Sequence, residues 1–263
     1  MFAGLIRHRD LVWQMTKRDV IGRYRGSLMG VLWSLFHPVL MLAVYTLVFS
    51  GVFKARWGTS PTESTADFAV VLFAGMLVHN LFAECVNRAP MLVVSNPSFV
   101  KKVVFPLEVL PWVAMGSALF HTGAGLAALL AVSLLGSLSI APTFLFFPLV
   151  LAPFVLMTVG IVWFLAATGV FLRDLAQGIG VVTTVMLFLS PVFYPLSSLG
   201  EPYRTMLRFN PLTFIIEQSR EVLIWGRAPN WTGLLLYAAV SVVVAGLGFA
   251  WFQKTRRGFA DVL

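Results

Sequence analysis

The sequence is dominated by apolar blocks, each long enough to cross roughly 30 Å of hydrocarbon at about 1.5 Å per residue. They lie near residues 29–53, 68–94, 107–135, 144–172, 175–194 and 231–252. A chain built this way must satisfy its backbone hydrogen bonds inside lipid, which only helices and closed barrels achieve. No segment alternates with the period of a barrel strand, so the blocks predict an all-α integral membrane protein with six transmembrane helices. The composition agrees: 59% of residues are hydrophobic, 11% are charged and the mean hydropathy is +0.87. A soluble domain is nearer half apolar and a quarter charged, so an ordinary cytosolic enzyme, a disordered tail and a disulfide-rich secreted module are excluded. The single cysteine, Cys85, cannot form a disulfide within the chain and reads as a small buried hydrophobe. The first ten residues carry no apolar core after a basic start, so a cleavable signal peptide is not expected.

The net charge of +8 and a pI near 10.2 raise the question of nucleic acid. The placement of the cations answers it. On one side of the predicted spans lie Arg7, Arg9, Lys17, Arg18, Arg23, Arg25, Lys101, Lys102, Arg173, Lys254, Arg256 and Arg257. On the other lie Lys54, Arg56, Arg204, Arg208, Arg220 and Arg227, with Arg88 inside a span. Twelve against six puts both termini in the cytoplasm. The basic excess is topogenic, and no basic patch interleaves with stacking aromatics as single-strand binding requires. No nucleic-acid partner is expected.

Three segments are not spans. Residues 1–28 read as an amphipathic helix on the membrane surface, with Ile6, Trp13, Val20 and Tyr24 as its apolar stripe and Arg9, Lys17, Arg18 and Arg25 in the headgroup layer. It is either a lead-in held by anionic lipid or a helix packed beside the bundle that meets an anionic substrate. Residues 96–105 predict a short helix of about two turns, begun by Asn96-Pro97 and stopped by Pro106, with Phe99, Val100, Val103 and Val104 around Lys101 and Lys102. It is either a membrane-hugging connector or a plug for a groove on a cytoplasmic partner. Residues 195–224 are too long and apolar for a simple connector and predict two short helices, 201–209 and 211–224, split at Asn210-Pro211. They either lie in the interface or dip back into the bundle.

The chain lacks catalytic signatures. No Gly-Lys pair occurs, so the phosphate-binding loop of nucleotide hydrolases is missing. His8, His37, His79 and His121 are scattered rather than set at metal-ligand spacing, and there is no Gly-x-Ser-x-Gly elbow. Inside the spans the notable charges are Glu84 and Arg88, four apart and so able to pair on one helix face. They are either a structural ion pair or the lining of a polar path. Glu108 is expected to cap or pair near the cytoplasmic face.

In their order, several motifs look familiar. Arg-Tyr-Arg-Gly-Ser-Leu-Met-Gly-Val-Leu-Trp-Ser (residues 23–34) and His37-Pro38 resemble the start of the first span in the membrane subunits of ABC-2 type polysaccharide exporters. Asn87-Arg88-Ala89-Pro90, Asn96-Pro97 and the stretch from Val100 to Pro111 resemble that family's second span and coupling helix. Phe171-Leu172-Arg173-Asp174 and Asn-Pro-Leu-Thr-Phe (residues 210–214), with Glu217 and Arg220-Glu221, are similar to later landmarks. The match runs from about residue 18 to 257 and is nearest to the O-antigen exporter permeases. The resemblance implies a homodimer that binds two copies of a cytoplasmic ABC ATPase. This chain would hold no cofactor, and ATP and Mg would sit on the partner. It implies a coupling helix at residues 96–105 (Asn96, Pro97, Phe99, Val100, Lys101, Lys102), an interface helix at 1–28 with Arg23 and Arg25 near a lipid-diphosphate headgroup, and periplasmic gate helices at 195–224 (Tyr194, Asn210, Pro211, Phe214). The cargo it implies is an undecaprenyl-diphosphate-linked polysaccharide, O-antigen first, moved across the bacterial inner membrane through a ring-lined channel. A capsule, teichoic-acid or small-molecule exporter, an ion-coupled carrier and a membrane glycan transferase are the alternatives.

Overall fold

The computed structural model describes residues 2–48, 57, 65–101, 105–135 and 141–263. Its regular structure is helical, with turns between the helices and no strand among the described residues. The helices are α1 Phe2–Arg7, α2 Arg9–Arg23, α3 Trp33–Tyr45, α4 Thr65–Arg88, α5 Pro97–Lys101, α6 Leu110–Leu135, α7 Phe147–Phe171, α8 Leu175–Phe188, α9 Glu201–Arg208, α10 Pro211–Leu223, α11 Trp231–Thr255 and α12 Phe259–Val262. Segments Gly30–Val48, Phe68–Met91, Leu107–Leu134, Pro142–Phe171 and Trp231–Val262 are long and apolar enough to cross a membrane. The end of the first predicted block, 49–53, lies outside the described residues.

The predicted span at 175–194 is shorter than expected. α8 has 14 residues, or about 21 Å, and residues 189–194 form turns instead of helix. The cause is Pro191 and Pro195, which cannot donate into a helix ladder.

The core is built around α4, which packs against α6, α7, α8 and α10. Leu72, Ala74, Val78, Leu81 and Cys85 are almost completely enclosed there. α7 and α11 make the most extensive helix pair, and the reason is side-chain size. A Cβ on Gly160 would lie 2.5 Å from Ala245 Cα, and one on Gly248 would collide with the Gly160 carbonyl. Lipid is as apolar as leucine, so helices in it associate through close backbone approach rather than hydrophobic exclusion.

α10 dips into the bundle, whereas α9 stays largely exposed. Arg220 of α10 is 1% exposed. Its Nε, Nη1 and Nη2 donate to the carbonyls of Val71, Pro191 and Val192 at 3.0, 2.6 and 2.9 Å, and Trp57 lies against the guanidinium at 4.2 Å. The residue counted in the sequence as an outward-loop charge is thus a buried staple for the carbonyls freed where α8 breaks. Gly75 makes room for it, since a Cβ there would sit 2.7 Å from Arg220 Nη2.

The chain begins and ends at one end of the bundle. α1 contacts the turn Leu107–Val109 and α12 contacts α5. Replacing Gly248 with Leu should destabilise the extracted protein by about 3 kcal/mol or more through overpacking against backbone. Gly246→Leu, whose Cβ meets nothing within 4 Å, should stay within about 0.5 kcal/mol. Thermal unfolding in detergent reads both, and equal effects would show that close α7–α11 contact is dispensable.

Candidate functional site

Three helices each contribute two polar residues four apart: Asp19 and Arg23 on α2, Glu84 and Arg88 on α4, Ser117 and His121 on α6. A spacing of four places each pair on one helix face. α2 and α4 meet in antiparallel register, so the first residue of one pair faces the second of the other. Arg88 Nη2 donates to Asp19 Oδ1 at 2.8 Å, and Arg23 Nη2 lies 2.7 Å from Glu84 Oε1. α6 closes the cluster from the side. Ser117 Oγ donates to Asp19 Oδ2 at 2.7 Å, and His121 Nδ1 lies 3.0 Å from Glu84 Oε2. With its proton on Nδ1, His121 donates to Glu84 while its Nε2 accepts from the Tyr24 hydroxyl at 3.1 Å.

The Glu84–Arg88 pair expected on one helix is therefore not formed. Each residue reaches across to α2, because a partner on another helix fixes that helix as well as neutralising the charge. Burial pushes the Asp19 carboxyl upward, but the hydrogen bonds from Arg88 and Ser117 and the charges of Arg88 and Arg23 outweigh it and hold Asp19 below its ordinary value.

The apolar residues expected along the surface helix are unevenly covered by the rest of the described protein. Val20 is 6% exposed, but Ile6 and Trp13 are each 70% exposed. The helix breaks at His8, leaving Ile6 on α1. Trp13 and Val20 share one face to within about 20°, but Val20 lies beside Asp19, where α2 meets the bundle, and Trp13 lies about two turns earlier, uncovered by the described residues. Thr16 and Val20 form the buried contact, with Thr16 Oγ1 2.7 Å from where a Cβ on Gly116 would be.

Beside the charges lies a half-open cavity of about 480 Å³ between α3, α4 and α6. The turn from α2 into α3 passes through Gly26 and Gly30 at φ +84° and +53°, backbone that favours glycine. It folds Trp33, Ser34 and His37 back beside Arg23. Tyr45, Asn80 and Asn87 line the same cavity. Arg25 stands exposed on that turn. The arrangement offers cations, amides and aromatic faces but no nucleophile poised beside a base. Among the described residues no cluster of His, Cys, Asp or Glu is placed to hold a metal.

The residues expected around the coupling segment and hairpin are arranged as follows. Asn96, Pro97, Phe99, Val100 and Lys101 lie on or beside α5, which has five residues within the described chain. Lys102, with Val103 and Val104, lies outside the described residues. Phe105 returns to stack on Phe99 at 4.2 Å. In the hairpin, Asn210 Oδ1 caps α10 at Leu212 N, and its Nδ2 donates to the Leu189 carbonyl at 2.8 Å. Tyr194 donates to the Phe188 carbonyl, Tyr237 donates to the Pro211 carbonyl, and Phe214 stacks on Tyr237 at 5.8 Å. These four residues therefore fasten one corner where α8, α10 and α11 meet. Asp19, Ser117 and His121 were missed in the sequence. The available signal was the matching four-residue spacing on three separate helices.

Apolar helices of membrane-spanning length around a polar, aromatic cavity are the architecture of the membrane-transporter class. The family model of the ABC-2 type transporter matches residues 10–224, and the chain belongs to that family. It is 29% identical over 261 residues to the O-antigen export system permease protein RfbA of Myxococcus xanthus, covering 98% of this chain and 96% of that protein. A protein of the same name from Klebsiella pneumoniae is 23% identical over 256 residues, covering 97% and 95%. The polysialic acid transport protein KpsM of Escherichia coli is 22% identical over 237 residues, covering 90% of each.

Asp19→Ala should loosen α2 from α4 and α6 by about 2 kcal/mol, a value between those of exposed and buried pairs because both carboxylate and guanidinium are partly screened. The exchange Asp19→Arg with Arg88→Asp should recover part of that loss. Disulfide trapping between Thr16→Cys and Gly116→Cys reads the docking. Trapping that is insensitive to Asp19→Ala would show that apolar contact alone holds α2.

Proposed function

We propose that the chain is the channel-forming permease subunit of an ATP-driven exporter that moves a lipid-linked polysaccharide from cytoplasm to periplasm. O-antigen on undecaprenyl diphosphate is the first candidate cargo. The observation that carries this reading is the cavity between α3, α4 and α6. Aromatic rings present flat apolar faces to the C–H surfaces of sugars, and Asn80 and Asn87 match their hydroxyls. Arg23 at the mouth and Arg25 on the adjoining turn suit the diphosphate of a lipid carrier. The relatives support the same reading, since two are named O-antigen export permeases. The relative named for polysialic acid transport keeps a capsular polysaccharide as the second reading.

In this proposal two copies of the chain form the channel and two copies of a cytoplasmic ABC ATPase supply ATP hydrolysis, with ATP and Mg bound there. The membrane is the bacterial inner membrane, and both termini are cytoplasmic. A chain that starts and finishes at one end of the bundle makes an even number of crossings, which supports α8 with its following turns as the sixth. α5 with Asn96, Pro97, Phe99, Val100, Lys101 and Lys102 would couple to the ATPase. Tyr194, Asn210, Pro211 and Phe214 would set the gate hairpin on the periplasmic side.

Substituting Trp33 and Asn80 together by Ala should lower surface polysaccharide about three- to tenfold through lost ring and amide contacts, each worth about a kcal/mol. The amount of chain in the membrane should not change. Glycan immunoblots of whole cells measure the effect, and wild-type surface glycan in the double variant would refute the cavity as part of the path.

A further inference from the structure

Past the last apolar block the sequence predicts a cytoplasmic tail at residues 254–263, of which the first two residues continue α11. The structure folds residues 256–263 back as the turn Arg256–Gly258 and α12, and α12 packs against α5. Two separate anchors hold them. The apolar one is Phe259, which is fully enclosed, with Phe252 of α11 at 5.6 Å and Phe171 of α7 at 6.0 Å. The polar one is Arg256, whose Nη1 donates to Glu108 Oε2 at 2.8 Å and whose Nη2 donates to the Phe105 carbonyl at 3.3 Å. One guanidinium therefore grips the chain on both sides of Pro106. The Glu108 carbonyl in turn accepts from Trp163 Nε1 of α7 at 3.1 Å.

We infer that residues 256–263 are a positioning clasp that fixes the α5 loop to α7 and α11, so that a push on α5 moves those two helices as well as its chain neighbours. The inference rests on the reading of α5 as the coupling helix. The segment between Asn96 and Pro106 is too short to hold a helix on its own in water, and a force-bearing element needs an external brace. Within the described residues that brace is the Phe99–Phe105 stack, α12 and the Arg256 fork. α7 and α11 are themselves locked by the Gly160–Gly248 contact, so they answer as one body. Arginine is required rather than lysine because a planar fork reaches a carboxylate and a carbonyl together, whereas an ammonium acts as one point charge.

The test uses the tagged full chain isolated from its native membrane with the ATPase that accompanies it. It compares Arg256→Ala, Arg256→Lys, Glu108→Gln and the exchange Arg256→Glu with Glu108→Arg. Three quantities are read: ATPase recovered per chain, Mg-ATP turnover as phosphate release, and surface polysaccharide. The clasp predicts near-normal recovery and turnover but severalfold less glycan exported per ATP in all three single variants, the Lys variant included. The exchange should regain part of that loss.

Glycan exported per ATP that stays at the wild-type level in Arg256→Ala overturns the clasp. So does a loss of export matched in proportion by loss of assembled complex. Lys101→Glu separates this failure from that of the coupling reading. If Lys101→Glu changes neither recovery nor turnover, the coupling assignment fails and the clasp with it; if it lowers both while Arg256→Ala does nothing, only the clasp fails.

Discussion

The antiparallel match of Asp19 and Arg23 with Arg88 and Glu84 is the interaction on which the rest of this structure depends. α2 has no continuous apolar face to hold it on the bundle, and Trp13 is uncovered by the described residues. Two ion pairs, joined by Ser117 and His121, settle how the helix is turned and where it stops. Where α2 stops decides where the Gly26–Gly30 turn begins, and that turn sets α3 against the cavity. The cost of desolvating four charges is offset because every carboxylate oxygen in the cluster has a donor. Glu84 and Arg88 lie in a helix of spanning length, where unpaired charge is costly in lipid, and pairing across helices is what makes them tolerable.

The same constraint, that lipid supplies no hydrogen bonds, shapes the far end of α8. Two prolines free carbonyls there, and the Arg220 guanidinium satisfies them from the neighbouring helix. The glycine on α4 that admits this side chain and the glycines that close α7 on α11 are among the places where absence of a Cβ decides the packing. The bundle thus has a closely packed pair, α7 with α11, and a polar cavity between α3, α4 and α6. A transporter needs both: one part that transmits movement and one that presents a path.

Much of this was legible in the sequence, because hydrocarbon thickness sets span length and proline ends helices. Five blocks became helices of membrane-spanning length, and the two short helices α9 and α10 formed on either side of Asn210 as predicted. The ordered motifs pointed to the ABC-2 type transporter family, and family membership bears that out. Partners across helices were not legible. Glu84 and Arg88 suggested each other because only their spacing was visible, whereas Asp19 and His121 are 69 and 37 residues away from the groups they bind. The inward turn of α2 was hidden for the same reason, and the burial of Arg220 depends on a glycine about 145 positions earlier, at Gly75. Nor does apolar patterning say that residues 256–263 fold back on the bundle, where Arg256 binds Glu108 and the Phe105 carbonyl and Phe259 packs on Phe252 and Phe171.

In the proposed function the cavity between α3, α4 and α6 takes the glycan, the α5 loop faces the ATPase, and the central claim is outward transport powered by ATP. Inverted inner-membrane vesicles carrying the native complex test that claim most directly. Added Mg-ATP should move lipid-linked polysaccharide into the vesicle lumen, where it becomes resistant to an added glycosidase, and vesicles lacking this chain should show no such protection. Protection that forms without ATP and collapses when ionophores dissipate the ion gradients would contradict the account and identify an ion-coupled carrier instead.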